Sequence, residues 1–132
     1  MSMQKHPDPM DARLQAALDA QDWALLTRLC RQALRKNGRH HKAHRLLGFA
    51  LSQTGDIDPA LQAFRQAAAL WPQDAELLIN YANTLLNQGR HSVALPLLEK
   101  VVQLRPDHST CWAKLAQCCY TMTLNQKGFD AS

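Results

Sequence analysis

HKAHRLLGFALSQTGDIDPALQAFRQAAALWP, residues 41–72, decides the fold. Its apolar positions advance by threes and fours, Leu47 to Leu51 and then Leu61, Phe64 and Ala68. That spacing lines one face of a helix; a strand would alternate in twos. Between the two apolar runs stands Gln53-Thr54-Gly55-Asp56, where a glycine supplies the left-handed turn that ends a helix. Asp58-Pro59 reads as an N-cap followed by proline at the first helical position, and Asp8-Pro9 repeats the pattern near the N-terminus. Residues 41–72 therefore form two helices joined by a tight turn.

Working outward, the same signals recur every 34 residues. Asn87-Gln88-Gly89-Arg90 follows the first turn by that interval, Pro106 follows Pro72, and Ala20-Gln21-Asp22 is an earlier cousin of the turn. With rows beginning at Pro7, His41, Ala75 and Ser109, the columns align without a gap. The eighth column holds Leu14, Gly48, Ala82 and Ala116, and the eleventh Ala17, Leu51, Leu85 and Cys119. Further along, Leu26, Ala60 and Ala94 share the twentieth and Ala33, Ala67 and Val101 the twenty-seventh. Each row is a helix pair, and small residues in these columns let its helices approach closely. Pro96, after Ser92, is expected in the first turn of its helix, where its missing N–H costs nothing.

Composition agrees. With 46% apolar and 20% charged residues, the chain is too apolar for disorder and too short for two catalytic lobes. Every long uncharged stretch contains Gln, Asn, Ser or His, so no membrane span is expected, and MSMQKHPDPMD lacks the apolar region of a signal peptide. These readings point to a cytoplasmic protein whose four cysteines are free thiols.

The rows resemble tetratricopeptide repeats. Residues 41–74 carry Leu47, Gly48, Leu51, Ala60, Phe64, Ala67 and Pro72 at that family's positions, with His44 where the family prefers Trp, Leu or Tyr. Residues 75–108 match through Leu78, Ala82, Leu85, Ala94, Leu98 and Pro106. The first row, 7–40, is degenerate at Arg13 and Gly38, as terminal repeats often are. The last, 109–132, begins with Trp112, Leu115 and Ala116 and is incomplete. The resemblance implies an all-α, right-handed superhelical solenoid of antiparallel helix pairs, about three and a half units in one domain over 1–132. It is similar to the N-terminal repeat region of a larger bacterial protein of this family.

In the family, the first helix of each pair lines a concave groove that takes peptides. Its columns are Lys42, Arg45, Phe49 and Gln53 in the second row, then Glu76, Ile79, Asn80, Asn83 and Asn87 in the third. The fourth row supplies Lys114, Gln117, Tyr120 and Thr121. Asn80, Asn83 and Asn87 share one helix stripe, and an amide both donates and accepts, so it can pair with an extended backbone whatever its sequence. The resemblance further implies neighbouring first helices, with Phe49 between the basic pair and the Asn stripe. Arg45, Asn80 and Lys114 occupy three of the five columns of the family's two-carboxylate clamp, while Phe49 and Thr110 depart from it. Asn80 also matches the Asn ladder of the repeats in protein O-linked sugar transferases, which Leu46 and Lys114 interrupt.

Other constellations have simpler readings beside the functional one. No acid lies between Asp22 and Asp56, while Arg28, Arg31, Arg35, Lys36, Arg39, Lys42 and Arg45 all do. Such a belt suits phosphate or an acidic peptide, or it is a solvated outer face. Without interleaved aromatics or a nucleic-acid motif, nucleic acid is not an expected partner. His40 and His44 are one turn apart but have no neighbouring carboxylate or cysteine, so no metal is expected. Cys30 and Cys119 fall in core columns, as does Trp112. With no nucleophile elbow, phosphate loop or paired carboxylates, neither an enzyme nor a cofactor is expected.

Two readings stand. One is a protein-interaction module binding a peptide or partner segment in the groove at Lys42, Arg45, Phe49, Gln53, Asn80, Asn83, Asn87, Lys114 and Tyr120. The other is a non-catalytic, substrate-binding arm of a larger glycosyl- or sulfotransferase. The apolar run through Cys119, Tyr120, Met122 and Leu124 delays the turn of the fourth row to 127–130 and leaves it without a second helix. Either more chain follows, or the open end, with Leu95, Leu98 and Trp112 uncovered, associates with another copy.

Overall fold

The computed structural model describes residues 9–126; the expected cap at Asp8 and turn at 127–130 lie outside them. Within these residues there are seven helices and no strands. They are α1 (Pro9–Asp19), α2 (Trp23–Lys36), α3 (His41–Gln53), α4 (Ile57–Leu70), α5 (Ala75–Asn87), α6 (His91–Leu104) and α7 (Ser109–Gln126). The fold class is an all-α helical repeat. Chain contacts divide it into two compact units, Met1–Ala67 and Ala68–Ser132.

The period is visible in the helix ends. A side chain just before each of α3, α5 and α7 caps the helix from the same column. His40 Nδ1 accepts from Ala43 N at 3.2 Å, Asp74 Oδ1 from Leu77 N at 3.2 Å, and His108 Nδ1 from Cys111 N at 3.3 Å. Each supplies an acceptor to one of the N–H groups that a helix start leaves without an intrahelical partner. The turns within pairs also repeat. Asp22 N donates to Ala17 O, Asp56 N to Leu51 O and Arg90 N to Leu85 O, at 3.0, 3.0 and 2.9 Å. These bonds span the turn by the Schellman pattern, which needs a left-handed residue after the helix. Gly55 and Gly89 adopt it at φ +87° and +73°; in the first pair Gln21 must do so at φ 56°.

Two helix starts fall earlier than the sequence suggests. α4 begins at Ile57, directly after the turn, and Asp56 O accepts from Ala60 N at 3.0 Å. Asp58 is therefore a first-turn acid, favoured by the helix dipole, and not the cap. By the same shift, α6 begins at His91 and Pro96 lies inside it. Pro96 is exposed, and the helix gives up the bond its N–H would have made to Ser92 O.

Within the first unit, Leu14, Leu26, Leu29, Cys30 and Leu46 form the main buried cluster. Gly48 lets α3 close on α4: a Cβ there would lie 2.6 Å from Phe64 Cδ1. In the second unit Leu78, Val101, Val102 and Cys111 pack together with Leu115 against them. Leu98 is fully buried, contrary to the expectation that it awaits a covering helix, because α6 packs on both α5 and α7. On α7 the core assignments change. Cys111 and Cys118 are buried, whereas Cys119 and Ala116 are exposed and Trp112 is 46% exposed. Their columns bury in α3 and α5 because α4 and α6 cover them; no described helix covers them in α7. Without a glycine at Thr123, α7 runs on to Gln126.

Candidate functional site

In the first unit, the α2–α3 turn and the first turns of α3 border a shallow, open cavity of about 440 Å³. It is lined by Asp11, Asn37, Arg39, His40, His41, Lys42 and Arg45. Asn37 Oδ1 accepts from Arg39 N at 3.0 Å, which holds the turn. His40, with Nδ1 occupied by the cap, places Nε2 3.1 Å from Asp11 Oδ1. Lys42 Nζ donates to Gln15 Oε1 at 3.0 Å, a neutral acceptor that leaves its charge uncompensated. The basic belt thus divides. Arg28, Arg31 and Arg35 are exposed on α2, while Arg39, Lys42 and Arg45 line one cavity.

The other two α3 positions differ in character. Phe49 is half-buried, its ring edge-on to Trp23 with centroids 5.5 Å apart and planes at 86°. That contact gives Phe49 a packing role which sequence columns do not reveal. Gln53 is exposed at the end of α3.

In the second unit, Asn80 and Asn83 are half-buried on α5 and Asn87 is exposed at its end. Among the described residues, nothing donates to Asn83 Oδ1, although that oxygen is shut off from solvent. Its neighbour Thr84 returns its hydroxyl to Asn80 O at 2.9 Å. Ile79, named with the groove columns, packs instead against the Leu78–Val101 cluster. On α7 Lys114 is half-buried, and Tyr120 is 67% exposed.

Two of the first unit's histidines have structural roles. His40 caps α3, and His44, buried, sets Nε2 2.7 Å from Gly38 O. Among the described residues no three His, Cys, Asp or Glu side chains gather as a metal ion would require. All four cysteines are free thiols. Burial pushes the Cys30 thiol up to about 12, and also raises Cys111 and Cys118. No helix of the described residues is long and apolar enough to cross a membrane.

Among the described residues, three helix pairs and a single helix in a 34-residue period define a helical-repeat protein. The family models agree on which one. A tetratricopeptide repeat model matches residues 12–75, and the model for "Anaphase-promoting complex, cyclosome, subunit 3", of the same repeat type, matches residues 53–131. The chain belongs to the tetratricopeptide repeat family, whose members are protein-interaction modules. No curated protein matches it.

Solved structures carry the same fold. The tetratricopeptide repeat domain of Arabidopsis OM64 is similar at a TM-score of 0.77 and 15% identity, covering 83% of this chain and 90% of that one. The first repeat domain of Spaghetti (RPAP3), bound to the HSP90 peptide SRMEEVD, gives a TM-score of 0.80 at 10% identity, covering 86% and 90%. A mutant O-GlcNAc transferase of Thermobaculum terrenum gives 0.70 at 26% identity, over 86% of this chain but 23% of that chain.

Proposed function

We propose that this chain binds an extended peptide or partner segment along the first helices of its pairs. The observation that carries this reading is Asn83. A solvent-shielded carbonyl oxygen without a donor costs about 1–3 kcal/mol, and turning the amide outward to accept from a partner's backbone N–H would remove that cost. Asn80 and Asn87 share its stripe, and amides of this kind read a backbone without reading its sequence. Lys114 and Tyr120 belong to the same unit and are proposed as further contacts. In the first unit Lys42, Arg45, Phe49 and Gln53 occupy the corresponding columns, with the two cations suited to a partner's acidic group. The peptide seen with the Spaghetti domain supports the reading by analogy of fold.

The test compares Asn80→Ala/Asn83→Ala with Arg28→Ala/Arg31→Ala, using a partner found by pull-down. Losing the amides should weaken binding by on the order of tenfold, about 1 kcal/mol or more. Loss through the α2 pair, with the Asn pair silent, would move the site to the outer basic face. The exposed Trp112 and Tyr120 on α7 support self-association as well. Light scattering of Trp112→Ser against the parent tests it, and a concentration-independent monomer in both would remove it. The transferase-arm reading has only the Thermobaculum likeness beside it and is not pursued.

A further inference from the structure

The cavity at the α2–α3 turn has a charge that selects among anions. Its wall carries three fixed cations, Arg39, Lys42 and Arg45, and one carboxylate, Asp11. Three cations against one carboxylate give the wall a formal +2 before any histidine is counted, and Asp11 Oδ1 stands 3.1 Å from His40 Nε2. A carboxylate ligand would cancel half of that charge. A phosphate monoester, at about −1.5 to −2 near neutral pH, would cancel nearly all of it. Two guanidinium forks offer paired N–H donors that fit phosphate oxygens, and Lys42, its Nζ 3.0 Å from Gln15 Oε1, adds a point charge. At about 440 Å³, the opening has room for a phosphoryl group together with the residue that carries it.

We infer that this cavity is a binding site for a phosphate dianion, carried as a monoester or free. The inference stands on the cavity of the first unit. Where a partner carries the phosphate, it also extends the peptide reading, by naming the acidic group that Lys42 and Arg45 meet. It is a different surface from the exposed Arg28, Arg31 and Arg35 of α2, none of which lines this depression.

The experiment is an NMR or calorimetric titration of the full chain at low ionic strength and slightly alkaline pH, where phosphate is a dianion. The probes are inorganic phosphate, O-phosphoserine, acetate and a short single-stranded oligonucleotide, whose phosphodiesters are monoanions. Saturable binding of phosphate or phosphoserine is expected, with Kd on the order of 1 mM. Tighter phosphoserine binding assigns the phosphate to a phosphorylated partner, and tighter inorganic phosphate to a free ion; either supports the site. Arg39→Ala/Arg45→Ala should weaken it at least about tenfold, and Arg28→Ala/Arg31→Ala should leave it within about twofold.

Asn80→Ala/Asn83→Ala should not change phosphate binding at all, which separates failure of this site from failure of the peptide reading. Acetate or the oligonucleotide binding as well as phosphoserine would overturn the inference. So would equal losses from the two arginine pairs, or no saturation. Thermal melts of the variants, whose substituted side chains are not buried, exclude unfolding as the cause.

Discussion

Gly48→Ala isolates how closely one helix pair is packed. An ideal Cβ on Gly48 would stand 2.6 Å from Phe64 Cδ1, 2.7 Å from Cε1 and 3.0 Å from Cγ. Carbon atoms settle at about 3.5–4.0 Å, so the ring must withdraw by about 1 Å. Phe64 is fully buried and has little space into which to withdraw. Alanine gains about 1 kcal/mol of helix propensity over glycine, while forcing an extra methyl into a filled core costs about 1–3 kcal/mol. Two contacts this short place the cost high in that range, for a net loss of about 1–2 kcal/mol. The columns suggest the remedy. Where α3 and α4 set Gly48 against Phe64, the corresponding residues of α5 and α6 are Ala82 and Leu98, both buried. Phe64→Leu alone should cost about 1 kcal/mol, but in the Gly48→Ala background it should recover stability, with a coupling of about 1–2 kcal/mol. Urea titration of the four proteins measures this, each 1 kcal/mol also moving Tm by roughly 3–6 °C. Gly48→Ala more stable than its parent, or strictly additive variants, would show that Phe64 does not hold the contact.

Other perturbations follow from the repeated columns and the buried thiols. Arg90 is the N-cap residue of α6 but, among the described residues, makes no side-chain cap bond, whereas Asp22 in the same column accepts from Leu25 N at 3.2 Å. Arg90→Asp should therefore stabilise by about 1 kcal/mol, and an unchanged or lower melting temperature would contradict it. Gln21 holds φ 56° in a column otherwise filled by Gly55 and Gly89, so Gln21→Gly should raise stability by up to about 1 kcal/mol in the same melt. For the thiols, exposed Cys119 should react with a disulfide reagent at mildly alkaline pH well before Cys30, Cys111 and Cys118; equal rates would refute the burial assignment. Cys30 remains protonated in the folded chain up to about pH 12 but ionises near 9.0 when unfolded. Stability from this group is full below pH 9.0 and falls as pH rises towards 12, by about 1.4 kcal/mol per pH unit. A stability curve flat across that window in a Cys30→Ala comparison would remove the effect.

The fold is legible because its determinants are local and recur. Turn glycines, prolines two residues past α4 and α6, and small residues in the pairing columns each signal the helix pair without reference to distant chain. What misleads is the assumption that a column has the same neighbours in every row. Cys119 and Trp112 share columns with Leu85 and Leu78, yet burial is a property of the covering helix and not of the letter. Pro96 misleads for a smaller reason: the second helices begin directly after the turn residue, earlier than their proline and serine signals suggest. Of the site, the Asn stripe and the cations are visible in sequence. That Phe49 is spent on Trp23, and that Arg39 joins Lys42 and Arg45 around one cavity, depends on side-chain direction across a turn. The acid-free run from Asp22 to Asp56 signals basic surface there but does not say which cations converge.

Those same structural rules help to find function. His40, Asp74 and His108 are explained by capping, Gly55 and Gly89 by left-handed turns, and Gly48, Phe64, Ala82 and Leu98 by pair packing. Once these are set aside, a repeat fold makes few further demands on its exposed first-helix positions, where any good helix former would serve. Asparagine is not a good helix former, because its side chain competes for backbone hydrogen bonds. Three on one stripe of α5, one with a shielded and unused acceptor, are a cost that neither propensity nor packing repays. Arg39, Lys42 and Arg45 around one concavity likewise raise the local repulsion that capping and pairing would rather avoid. A ligand that supplies backbone N–H groups to α5 would offset the first cost, and one that supplies a dianion to the α2–α3 turn the second. These positions are therefore where substitution should change binding while leaving the helix pairs intact.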